Sequence, residues 1–171
     1  MQVLTAAGVE QWENYDLGAN RFVNDLVVLL ARTVKPDGAI SEARHLPSGV
    51  VFTDLAPGGI LLLHYQLTSM STGALFGHVW DQHIFAFPGT PCRESTYTLV
   101  RPADRKVGSR LWHAQGADGG ARPSRTLSHG FVSEEWRFTD LPKYGDAPLA
   151  ASALAYVPGL DLWTIPDGSI I

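Results

Sequence analysis

The chain has 171 residues, 45% of them hydrophobic and 18% charged, with a net charge of −4. That length buries a core without covalent staples, that composition argues against disorder, and that charge argues against nucleic acid as a general partner. The single cysteine, Cys92, excludes an internal disulfide and a cysteine-based zinc site, and no apolar run approaches the ~18 residues of a membrane span.

Met1 to Gly18 reads as a strand followed by a loop. Residues 1–20 hold three acids and no basic segment, unlike a secretory signal, which leaves a cytosolic chain or a piece cut from a longer secreted one. Arg21 to Val34 fits a helix or a strand by periodicity. Its β-branched positions Val23, Val27, Val28 and Val34, running into Pro36-Asp37-Gly38, favour a strand. Proline and glycine there supply a tight reversal, and Ala39 to Leu46 is the return strand. Pro57-Gly58-Gly59 repeats the device between Val50–Thr53 and Ile60–Thr68, so the region reads as a meander. Leu75 to Phe87 is the aromatic-rich strand, stopped by Pro88-Gly89-Thr90-Pro91, and Arg93 to Val100 alternates cleanly.

Val107–Ala114 and Phe131–Phe138 read as a paired hairpin around a Gly/Arg/Pro/Ser-rich loop, Gln115 to Ser128. From Asp140 onward four prolines punctuate an extended tail ending near Trp163. These elements predict an all-β protein, an antiparallel β-sandwich of about eight to ten strands. Residues 1–171 would form a single domain, with 140–171 as its extended Pro-rich tail.

Chemistry-bearing residues are sparse. His78-Val-Trp-Asp-Gln-His83 is the only dense histidine cluster. Strand geometry puts Asp81 and His83 on one face and His78 on the other with Trp80, short of the three ligands a catalytic zinc needs. Cys92 follows a proline at a strand start, with no helix to lower its pKa, and reads as structural. Neither a nucleophile elbow nor a phosphate-binding glycine loop is present. Residues 101–125 hold six basic side chains against two acids, so Arg110, Arg122 and Arg125 are candidates for contact with an anionic partner. The aromatics Trp80, Trp112 and Trp136 suit either a core or an exposed platform.

Taken together, A-R-T-V-K-P-D-G-A-I at 31–40, F-T-D-L-A-P-G-G-I-L-L-L-H-Y-Q-L at 52–67, H-V-W-D-Q-H-I-F at 78–85, R-E-S-T-Y-T-L-V-R-P at 93–102, W-R-F-T-D-L-P at 136–142 and Y-V-P-G-L-D-L-W at 156–163 form a recognisable series. In order and spacing the chain resembles the β-sandwich domain of unknown function found N-terminal to the catalytic domain of bacterial transglutaminase-like proteins. The resemblance implies that a separate papain-like domain supplies the Cys, His and Asp, so no catalytic residue carries over to this chain. It also implies a bacterial parent and a periplasmic or extracytoplasmic setting.

The resulting expectation is a non-catalytic accessory domain without cofactor or metal. It would pack against, or present a protein or peptide substrate to, a transglutaminase- or peptidase-like domain, with Arg110, Arg122, Arg125, Trp80 and Trp163 as contact residues. The alternatives are a stand-alone module binding a glycan or small ligand through Trp80, Trp112 and Trp136, and a small metal-dependent enzyme built on His78, Asp81 and His83.

Overall fold

A computed structural model describes residues 1–18, 24–69, 77–114, 122–145 and 156–164. The fold is all-β, as expected. Twelve strands and one short helix occur among the described residues, and the strands form four three-stranded antiparallel sheets. The chain divides into two compact units, Met1–Ala74 and Leu75–Ile171, each with its own core. Expected segments at 21–23, 75–76 and 115–121, and the tail at 146–155 and 165–171, lie outside the described residues.

In the first unit, residues expected to form a strand instead make helix α1 (Ala6–Trp12), capped by Thr5, whose hydroxyl accepts from Gly8 N at 3.1 Å. Strands β1 (Asn14–Asp16), β2 (Asn24–Val34), β3 (Ile40–Glu42), β4 (Arg44–His45), β5 (Gly49–Val51) and β6 (Ile60–Ser69) follow. The Pro36-Asp37-Gly38 turn joins β2 to β3 as read from the sequence. Gly38 takes φ 86°, and Asp37 Oδ1 accepts from Ala39 N at 2.9 Å.

The second turn does not make a hairpin. β5 pairs with β1 and β4, whereas β6 pairs with β2. The Gly58-Gly59 turn instead hydrogen-bonds to Val3 at 2.6 and 2.8 Å. A Cβ on Gly49 would overlap the Tyr15 carbonyl, so only glycine lets β1 approach β5 this closely. The core gathers Val3, Ala31, Val50, Phe52 and Leu61.

The second unit contains β7 (Trp80–Ile84), β8 (Cys92–Pro102), β9 (Gly108–Trp112), β10 (Ser124–Ser128), β11 (Phe131–Leu141) and β12 (Gly159–Trp163). They form the sheets β10-β11-β8 and β7-β12-β9 around one core of Phe85, Ala86, Trp136, Phe138, Leu141, Val157, Leu160 and Leu162.

Two expectations change here. The 107–114 segment does not pair with 131–138. β9 pairs with β12, and β11 pairs with β8 and β10. The β10–β11 hairpin closes through His129 and Gly130, at φ 50° and 80°. Such a two-residue turn needs left-handed backbone at both positions, which suits the strand twist. The tail is also more than an appendage. Its Gly159–Trp163 segment is the central strand of a sheet, with Leu160 and Leu162 1–2% exposed.

Candidate functional site

The candidate site is the outer face of the β7-β12-β9 sheet. Alternation sends Leu160 and Leu162 into the core, so Gly159, Asp161 and Trp163 face outward. Register then aligns three cross-strand rows: Trp80–Trp163–Gly108, Gln82–Asp161–Arg110 and Ile84–Gly159–Trp112.

Asp161 is the centre of the middle row. Only 6% of this residue is exposed, although it points away from the core. Arg110 Nε and Nη2 donate to Oδ2 at 3.1 and 2.6 Å. Gln82 Nε2 and Trp112 Nε1 donate to Oδ1 at 3.0 and 3.1 Å. Burial by itself raises the pKa of this carboxyl. The bonds from Arg110, Gln82 and Trp112, with the Arg110 charge, outweigh it and hold the group below the usual carboxylate range. The group is therefore ionised near neutral pH with its four lone-pair sites occupied, so Asp161 orients its neighbours.

Tryptophans flank this row on glycines. A Cβ on Gly108 would overlap the Trp163 indole, and one on Gly159 would overlap that of Trp112. Each ring thus lies across the neighbouring strand at the height where a side chain would begin. Trp80, opposite Trp163, is 68% exposed.

Of the residues singled out from sequence, Trp80, Arg110, Trp112 and Trp163 come together on this face. Arg125 lies on the other sheet of the unit, 3.9 Å from Glu134 Oε1, and Arg122 is exposed just ahead of β10. Trp136 is a core side chain at 3% exposure and has no place in a surface platform.

The histidine cluster does not converge. His78 Nδ1 is 3.5 Å from Thr164 Oγ1, and Asp81 Oδ2 accepts from Tyr97 Oη at 2.7 Å. His83 sits between the rings of Phe85 and Tyr97, each centroid 4.9 Å away. Burial lowers the His83 pKa against the opposing pull of Asp81. Among the described residues no three His, Cys, Asp or Glu side chains are grouped as a metal requires, so the metal-enzyme alternative lacks its ligand geometry. Cys92 Sγ donates to the Glu94 carbonyl at 3.2 Å and packs at the core margin.

Asp161 and Gln82 were not singled out from sequence. The available signal was the alternation Leu160-Asp161-Leu162, which places one acid between two inward leucines. Its partners come from 49, 51 and 79 residues away, and no local pattern names them.

No protein-family model matches the chain, and no curated protein matches it. Among solved structures, the fold is similar to part of a putative protease from Parabacteroides distasonis, with a TM-score of 0.78 at 15% identity. The match covers 95% of this chain and 35% of that one, so the chain spans about a third of its neighbour's length. At that identity the likeness is one of fold.

Proposed function

We propose that this chain is a non-catalytic accessory module that sits beside a transglutaminase- or peptidase-like catalytic domain and presents substrate to it, in an extracytoplasmic setting. One observation carries the reading: nearly all of this chain, 95%, recurs as a fold within a protease-labelled protein of which it accounts for only 35%. The series of motifs from residue 31 to residue 163 supports the transglutaminase-like form of it.

In this reading the module works by positioning. The strands of the second unit hold Trp80, Arg110 and Trp163 in a fixed array, and Asp161 locks the guanidinium before any partner arrives. Order imposed in advance lowers the entropy lost on binding. Tryptophan and arginine are also the side chains that dominate contact energies at interfaces.

The first test is activity of the 171-residue chain alone. Casein hydrolysis and glutamine–amine acyl transfer should stay at buffer level, and turnover abolished by Cys92→Ala would overturn the reading. The second test uses a protein joining this module to a papain-like domain. Trp80→Ala with Arg110→Ala should leave hydrolysis of a short chromogenic peptide unchanged and raise KM for a macromolecular substrate roughly tenfold. Equal loss on both substrates would assign the face a structural role only.

A further inference from the structure

We propose that the outer face of the β7-β12-β9 sheet is a binding site for a neutral glycan. A sugar ring would stack on Trp163 and Trp80, and adjacent hydroxyls would be held by Arg110 and Gln82. This deepens the accessory-module reading by naming what its contact face recognises, and it rests on that face being the contact surface.

The aromatic part follows from Gly108. Because the Trp163 indole occupies the space of a Gly108 Cβ, the ring lies over the neighbouring strand, where it is half-buried. Trp80 extends the surface from the adjacent strand, and its 68% exposure shows that the core does not need it. A flat apolar surface with polar groups at its border matches the face of a sugar ring, whose C–H bonds are apolar and whose hydroxyls radiate around it.

The polar part follows from the bonding of the middle row. Arg110 spends Nε and Nη2 on Asp161, which leaves the Nη1 donors without a partner among the described residues. Gln82 spends one Nε2 donor, and its Oε1 acceptor is open in the same sense. The row thus offers a donor and an acceptor on either side of a saturated carboxylate. Vicinal hydroxyls, each both donor and acceptor, are complementary to that pair.

Charge decides between ligand classes. Arg110 and Asp161 cancel in formal charge within one hydrogen-bonded unit, so the middle row carries no net charge to hold a charged polymer. An uncharged, hydroxyl-rich ligand is the one it fits.

Affinity electrophoresis of the 171-residue chain through gels containing hydroxyethylcellulose, xylan, galactomannan or glycogen tests this, with alginate as the anionic control. At least one neutral polysaccharide should retard the chain, and 0.5 M salt should leave the retardation intact. Trp163→Ala and Gln82→Ala should each weaken it tenfold or more. Trp80→Ala, which removes only an exposed ring and so keeps the fold, should do the same, and Arg137→Ala, on the other sheet of the unit, should change nothing.

Retardation by alginate alone, abolished by salt, would overturn the proposal. So would the absence of retardation in every neutral gel, or retardation that survives Trp80→Ala together with Gln82→Ala. If no polysaccharide binds while Trp80→Ala with Arg110→Ala still raises KM for a protein substrate in the longer protein, the glycan assignment fails and the accessory reading stands, with a protein ligand on this face.

Discussion

The second unit contains two three-stranded sheets, and each has an acidic residue on its central strand paired with an arginine from an edge strand. In β10-β11-β8 the acid is Glu134, bonded to Arg101 Nε at 3.0 Å. In β7-β12-β9 it is Asp161, bonded to Arg110. Glu134 shares a strand face with Val132, Trp136 and Phe138, so it points to the core side, and it and Arg101 are largely buried, at 17% and 12% side-chain exposure. Asp161 points outward, its side chain is 9% exposed, and its arginine is 72% exposed. The first pair closes the margin of a core. The second is an outward carboxylate covered by the groups it organises, leaving an exposed guanidinium and exposed indole surface. The same residue types thus serve stability on one sheet and availability on the other, and the facing direction separates the two roles.

If that contrast holds, the largest effect belongs to the inward pair. Glu134→Ala leaves Arg101 buried without its carboxylate and should destabilise the chain by about 3 kcal/mol. Urea unfolding measures it, and a loss under 1 kcal/mol would remove the distinction between the sheets. Asp161→Ala should cost about 2 kcal/mol, because Trp112 Nε1 and Gln82 lose their acceptor while Arg110 reaches water.

Gly108→Ala drives a methyl into the Trp163 ring and should cost about 1–2 kcal/mol. It should also shift the tryptophan emission to longer wavelength, and an unchanged spectrum would mean that the indole does not lie on the glycine.

Acid sensitivity is a smaller and more specific test. The folded pKa values of Asp161 and His83 are both lowered. Each group therefore contributes stability that is present above its unfolded pKa and is lost as pH falls through its folded value. For His83 the loss begins below about pH 6.5, and for Asp161 below about pH 4. His83→Gln should flatten only the first limb of the stability–pH curve, and Asp161→Asn only the second. Smallest of all, Trp80→Ala should change stability by less than about 0.5 kcal/mol. A larger loss would make Trp80 a structural residue and undo the claim that it is available.

Much of the fold could be read from local pattern, because the information was local. β-Branched residues favoured a strand at β2, alternation exposed β8, and Pro36-Asp37-Gly38 marked a true hairpin. Where the reading failed, the missing term was a distant partner. The Gly58-Gly59 turn resembles the first turn in composition, but it bonds to Val3, more than 50 residues earlier. The His129-Gly130 hairpin was missed because His-Gly is not among the Asn-Gly, Asp-Gly and Gly-Gly pairs that mark such a turn in sequence.

The all-β class, the positions of most strands, and a site list of which Trp80, Arg110 and Trp163 lie together were legible in the chain alone. Composition, period-two alternation and turn chemistry act within a few residues, so one chain suffices to reveal them. That β12 is a central strand, that Trp136 is core while Trp80 is surface, and that Asp161 organises the face emerged with the folded arrangement. Those facts depend on register between segments 49 to 79 residues apart. Register is set by which apolar faces bury together and where glycine lets an indole lie down, and neither is written in any one stretch of the chain.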